Sequence, residues 1–327
     1  MNLYIDKENV FSLIENSKHE LYPDCIKTMQ RQMNVIFNFN KTELLSSEVL
    51  MAWIKVFTSG VGPTSNQSFN ENKFPERPLK SNAHNSFGKE ELSSVYLLND
   101  DKIEKLAEKG ALLIGRPGDE LNVFNQVFLF NNDYKFEKKF LIGNDNFKNW
   151  SQLEDYSLSL SDILFVDSYI LFDQSLMELN LLEFLKALVF KSRCKVNIVL
   201  LVNTDQVAVA YDEISSRVRK VVNSVTGVNP NFTLIRVRHQ RGVTSHAEHD
   251  RTVFTNYARV YSGDSFNYFG PNGEKITKGR ELHISSFGDL ENHTISLKLV
   301  EDLQRKIDAL PDSAIEGDKK SNFLSFR

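Results

Sequence analysis

Apolar residues recur at three- and four-residue spacing through most of the first sixty positions. The segments "ENVFSLIEN", "YPDCIKTMQRQMNVIF" and "LSSEVLMAWIKVFTSG" each carry that period, which lays one apolar stripe along a helix. The spacing predicts three helices, the last stopped by Gly60, Gly62 and Pro63. A polar stretch over residues 61–90 then predicts a long loop, and its Phe69, Phe74 and Phe87 argue that it packs on the domain. "SSVYLLN" and "ALLIG" read as strands, "DDKIEKLAEKG" and "ELNVFNQVFLF" as helices, which makes a small α/β unit. The charged, Asn-rich run after it holds a short hairpin or edge strand, and the domain junction is expected near residues 145–155.

The second half has a steadier rhythm. "DILFVDSYIL", "KVNIVLLVN" and "NFTLIRVRH" read as strands, with helices "LMELNLLEFLKALV" and "DQVAVAYDEISSRVRKVVNSV" between them. The unbroken apolar run in "KVNIVLLVN" predicts a strand covered on both faces. "HDRTVFTNYARVYSG" predicts two strands with a turn near Asn256, and "TISLKLVEDLQRKIDAL" a strand and a closing helix. Strands alternating with helices predict an α/β class. The expected division is a mixed helical and α/β N-terminal domain over residues 1–150, an α/β sandwich over 151–312 and a loose tail over 313–327.

Composition narrows the function classes. A length of 327 residues suits two domains, and 41% hydrophobic with 25% charged residues is ordinary for a globular chain. The formal net charge of -4 gives no global basic field, so any anion site must be local. Cys25 and Cys194 have no CxxC partner, which predicts buried free thiols and a cytoplasmic setting. The early acids argue against a signal peptide, and no apolar run is long enough for a membrane span. The loop "GRPGDE" offers backbone N–H groups to a phosphate only weakly, lacking both a P-loop lysine and a GxGxxG spacing.

The chemistry concentrates at "TSHAEHDRTVFTNY". His249, Arg251 and Asn256 stand at HxR(x4)N spacing, which resembles the HxK(x4)D motif of the phospholipase D superfamily with two substitutions. In that family the His attacks phosphorus, the Lys holds the phosphate and a second copy of the motif supplies the leaving-group proton. Arg251 can still hold a phosphate bidentately, whereas Asn256 carries no charge. The start of a second copy, His239–Gln240–Arg241, has His246 where the acid should fall. The flanks extend the likeness: Asp167–Ser168–Tyr169–Ile170 resembles the family's "DPYI" strand end, and "SGDSFNYF" (Gly263, Asp264, Phe266, Tyr268, Phe269) its "GRGLDYF" segment with Asp264 in place of the arginine. Residues 155–310 are therefore similar to the phospholipase D-like domain found at the C-terminus of MIT-domain proteins and in bacterial relatives, whose MIT-fused member is a non-catalytic binder of acidic lipids.

The resemblance implies a non-catalytic accessory or sensor protein that binds a phosphate-bearing ligand; nucleic acid is expected slightly ahead of acidic lipid because nothing in the chain offers an exposed apolar wedge for a bilayer. The expected ligand-binding residues are His249, Arg251, Asn256, Arg236, Arg238 and Arg241, in a region where basic residues outnumber acids. The alternatives are a dimeric phosphodiesterase or nuclease using His249, Arg251 and Asn256, and a dimerisation scaffold. Asp167 is expected to fix a strand end, and Phe266, Tyr268 and Phe269 to be core residues that could instead stack a base. A zinc site from His239, His246 and His249 lacks nearby cysteines. No metal and no cofactor are expected.

Overall fold

The computed structural model describes residues 1–58, 67–69, 94–99, 113–130, 134–142, 147–203, 210–237, 251–275 and 281–326. Its strands, in chain order, are β1 Asn2–Ile5, β2 Asn34–Phe37, β3 Gln67–Phe69, β4 Ser94–Leu97, β5 Leu113–Gly115, β6 Glu137–Leu141, β7 Asp162–Val166, β8 Asn197–Asn203, β9 Asn231–Val237, β10 Arg251–Thr255, β11 Ala258–Ser262, β12 Glu281–Ser286 and β13 Ile315–Gly317. Among the described residues these build two sheets. The first, in the order β3-β2-β1-β4-β5, is parallel throughout. The second runs β13-β9-β8-β7-β10-β11-β12-β6. Its β7, β8 and β9 are parallel, and its remaining pairs are antiparallel. The α/β class expected from the sequence is the class observed.

The first sixty residues are not only helical. The helices Lys7–Glu15, Tyr22–Gln32 and Glu48–Thr58 form, but β1 and β2 lie at the centre of the first sheet. Both strands are four residues long, too short for alternation to separate them from helix ends. Leu3, Ile5, Val35 and Phe37 are fully buried in a core shared with Val10, Leu13, Met29 and Phe57 from those helices.

The eight-stranded sheet is covered on both faces, as the run in β8 predicts. Ile163 and Phe165 of β7 face a core with Met177, Leu181, Phe184, Ile214 and Val218. Those residues come from the helical stretch between Gln174 and Leu188 and from the helix Tyr211–Thr226. Leu164 and Val166 face the other way, against Val300, Leu303 and Ile307 of the helix Leu290–Asp308. The strand expected at the start of "TISLKLVEDLQRKIDAL" is part of that helix, which begins after the N-cap Asp289. The side chain of Asp289 accepts from Asn292 N at 2.9 Å.

Two expected boundaries move. β6 is the edge strand of the second sheet, paired with β12, so the chain changes sheets before Glu137 and not near 145–155. The tail over 313–327 is not loose along its described length. β13 adds to the edge of β9, Asp318 accepts from Phe232 N at 2.8 Å, and Phe323 and Leu324 are buried. Gly317 makes the docking possible: at φ +111 its missing Cβ would stand 2.2 Å from the Phe232 carbonyl oxygen. The two sheets also touch. Tyr257, in the turn between β10 and β11, is 1% exposed. It packs in the first sheet's core and donates its hydroxyl to Ser94 O at 3.1 Å.

Candidate functional site

The chain leaves β7 for β8 and β9 on one side and returns to β10 on the other. In open α/β sheets ligands bind at a reversal of strand order, outside the carboxyl ends of the parallel strands. Asp167 is the first residue beyond β7, and its N–H still donates to Leu201 O at 3.1 Å. Its carboxylate is buried and accepts from Tyr169 N (2.9 Å), Ser265 Oγ (2.8 Å) and Phe266 N (2.8 Å). The first of these closes an Asx turn. The other two bind the segment that follows β11. Burial pushes this acid up to about 6, against the pull of its donors and of the Arg251 charge.

Arg251 opens β10. Thr252 pairs with Val166, so the register sets Arg251 beside Asp167. Its guanidinium carbon lies 5.3 Å from the centre of the Tyr169 ring, within the range of a cation–π contact. Asn267 Nδ2 donates to Tyr169 O at 2.8 Å, and Phe172 N donates to the same oxygen at 2.9 Å. The turn carrying the ring is thus fixed from two sides. The arrangement presents one half-buried cation next to an acid whose hydrogen bonds are already directed inward.

Asn256 lies elsewhere. It sits past the far end of β10, roughly 17 Å along the strand from Arg251. It is fully buried, and its Oδ1 accepts from Ser161 N (2.9 Å) and Asp162 N (3.1 Å). The expected role of Asn256 in ligand binding does not fit this position: its amide clips the hairpin to the start of β7. Arg236, on β9, pairs through Nε with Glu316 Oε1 at 2.9 Å. His249, Arg238, Arg241, His239 and His246 lie outside the described residues. Among the described residues no cluster of His, Cys, Asp or Glu could hold a metal ion, and no helix is long and apolar enough to cross a membrane.

Phe266, Tyr268 and Phe269 are core residues, not stacking platforms. All three are buried, and Tyr268 stacks on Trp150 at 5.0 Å, which stacks on Phe184 at 4.3 Å. Asn180 ties them down. Its Oδ1 accepts from Tyr268 N (2.9 Å) and Phe269 N (3.0 Å), and its Nδ2 donates to Phe269 O (2.9 Å). Asn180 stands in a π-helical turn, Glu178–Leu182, a single-turn bulge within the helical stretch. The Asn within the apolar run "LMELNLLEF", legible as a polar break in that helix, is the sequence signal for this tie. In "GRPGDE", Gly118 N donates to Glu120 Oε2 (3.0 Å) and Arg116 N to Asp119 Oδ2 (3.1 Å). The loop's own carboxylates therefore take the N–H groups that a phosphate would need.

No protein-family model matches the chain, and no curated protein matches it. Among solved structures, the chain has a distant likeness to the phosphatidylserine synthase of Haemophilus influenzae Rd KW20, with a TM-score of 0.32 and 10% identity. That match covers 62% of this chain and 46% of the synthase. A second likeness is to TrmBL2, an archaeal chromatin protein with a novel mode of DNA binding, with a TM-score of 0.28 and 10% identity over 62% of this chain and 64% of that one. The chain thus spans less than half of the synthase and under two thirds of the chromatin protein, and likeness at this level assigns neither fold family nor activity.

Proposed function

We propose that the second sheet and its helices form a phospholipase D-like domain that has kept a phosphate site and lost its catalysis. The protein binds a phosphodiester-bearing ligand, nucleic acid ahead of acidic lipid, at the carboxyl end of β7. It acts there as an accessory or sensor protein. The observation that supports this is the placement of Arg251: a cation stacked on Tyr169 at the reversal of strand order, in the motif position of the phosphate-holding lysine. Loss of catalysis is supported by the single, degenerate copy of the motif: the only other start, His239–Gln240–Arg241, has His246 where the acid should fall.

The test combines turnover with binding. Wild type and His249→Ala are assayed on bis-p-nitrophenyl phosphate, and wild type is titrated with an oligothymidylate and with phosphatidylserine vesicles. The expected result is no turnover in either protein and saturable binding of the oligonucleotide. Turnover that disappears in His249→Ala would replace this reading with that of a phosphodiesterase.

A further inference from the structure

The row holding Arg251 continues across the sheet. Val166 pairs with Leu201 and Leu201 with Ile235, so the next level carries Asp167, Val202 and Arg236, the last two paired directly. Thr252 pairs with Val166, which brings Arg251 to the same level. Val202 and Val253 belong to one core and Ile235 to the opposite one, so by alternation Arg251 and Arg236 stand on one face of the sheet. Three strand spacings separate them, roughly 14 Å. That is a backbone separation, and Arg236 leans away from Arg251 toward Glu316 on the outer strand β13, so two phosphates suit the pair better than one. In a duplex each strand places a phosphate about every 3.4 Å along the helix axis, so a stacked single strand needs about four nucleotides to span the gap and a more extended one needs fewer.

An exposed ring lies in the same turn as the residue that carries the first arginine. Phe172 is 64% exposed and lies in the turn closed by its own N–H on Tyr169 O, the residue whose ring carries Arg251. An exposed large aromatic next to a cation is the pairing that single-strand binders use, one for the base and one for the backbone. A bilayer anchor needs a broader apolar face or a second signal. The other arginine has a rival anion: Glu316, on the edge strand β13, holds Arg236 in a pair that is partly open to solvent, with side-chain exposures of 21% and 39%. Pairs of that exposure are weak, so a phosphate can displace the carboxylate.

We propose that Arg251, Phe172 and Arg236 form one track for a single-stranded nucleic acid, with a base stacked on Phe172 and phosphates at the two arginines, and that Glu316 competes for the second arginine. This rests on the reading of Arg251 as an anion anchor. The test uses the full chain and fluorescence anisotropy with oligothymidylates of one to eight nucleotides. Wild type should gain affinity steeply up to about four or five nucleotides. Phe172→Ala should lose about tenfold, within the range for one stacked base. Arg236→Ala should flatten the dependence on length. Glu316→Gln should strengthen binding several-fold for oligonucleotides of five or more, and Arg305→Ala, a charge control on the helix Leu290–Asp308, should change little. If Arg251→Ala weakens binding while Phe172→Ala, Arg236→Ala and Glu316→Gln leave it unchanged, the track is wrong and the anion anchor stands. Wild type that binds no oligonucleotide overturns the track. If it also binds no phosphatidylserine vesicle, the anchor falls too, whereas vesicle binding lost in Phe172→Ala makes the ring a membrane contact.

Discussion

Two aspartates mark the two ends of β7, and they differ in everything except burial. Asp162 and Asp167 are each 1% exposed or less, and burial raises each to about 6. Around Asp162 every partner is a neutral donor: Asn322 N (2.8 Å), Asn322 Nδ2 (2.6 Å), Asn197 Nδ2 (3.1 Å) and Ser161 Oγ (2.9 Å). Asn256 closes the same end from β10. Around Asp167 three donors point inward and Arg251 stands at the rim. Burial of an acid therefore does not identify a site in this fold. What separates the two ends is the half-buried cation, held on an aromatic ring where the strand order reverses.

The sealed end should fail first when it is cut. Residues 155–312 alone lack β6, Trp150 and the whole of Asn322, Phe323 and Leu324. That fragment should give no cooperative melt, whereas residues 131–327 should fold and melt as a unit. Cooperative melting of the shorter piece would show that the tail and β6 are dispensable. Within the full chain, Asp162→Ala strands four donors, and at roughly 1–3 kcal/mol for a buried donor left unpaired it should cost at least about 3 kcal/mol in denaturant unfolding. A cost below about 1 kcal/mol would mean that the end is not sealed.

The pH dependence comes next in size. Both acids titrate higher in the folded chain than in the unfolded one, so folding takes up protons between about pH 4 and pH 6. Their contribution to stability is fully present below about pH 4, is lost as the pH rises through about 6, and is flat above. Asp167→Asn should remove its share of that slope, roughly 2–3 kcal/mol across the window at 1.4 kcal/mol per unit. An unchanged slope in denaturant melts between pH 4 and pH 7 would contradict this. The smallest effect belongs to the ring under Arg251. Tyr169→Leu should weaken oligonucleotide binding by about 0.5–1 kcal/mol, the range of a partly exposed cation–π contact, and titration calorimetry would resolve it.

The second half was the more legible part of the chain because its elements are long. The seven-residue strands β8 and β9 and the sixteen-residue helix Tyr211–Thr226 each carry a period that local reading detects. The four-residue β1 and β2 do not, although their burial makes them the centre of the first sheet. The tail misled for another reason. "PDSAIEGDKKSNFLSF" is polar on average, and its order comes from long-range partners such as Asp162 and Arg219. At the site, Arg251 was legible from motif spacing. The structural role of Asn256 was not, because spacing along a sequence does not say that a five-residue strand carries its two ends far apart. Phe172 and Glu316 were invisible as site residues because exposure and cross-strand pairing arise only in the folded chain.

The most direct test sets the two ends of β10 against each other. Arg251→Ala and Asn256→Ala are each measured for oligothymidylate affinity and for melting temperature in one buffer. The account predicts that Arg251→Ala loses roughly 1.5–3 kcal/mol of binding, the scale of hydrogen bonds to a charged group, and melts within a few degrees of wild type. Asn256→Ala should melt markedly lower and, at a temperature where it is folded, bind as wild type does. If Arg251→Ala instead melts far below wild type with its affinity unchanged, Arg251 is a structural remnant and the anion site is refuted.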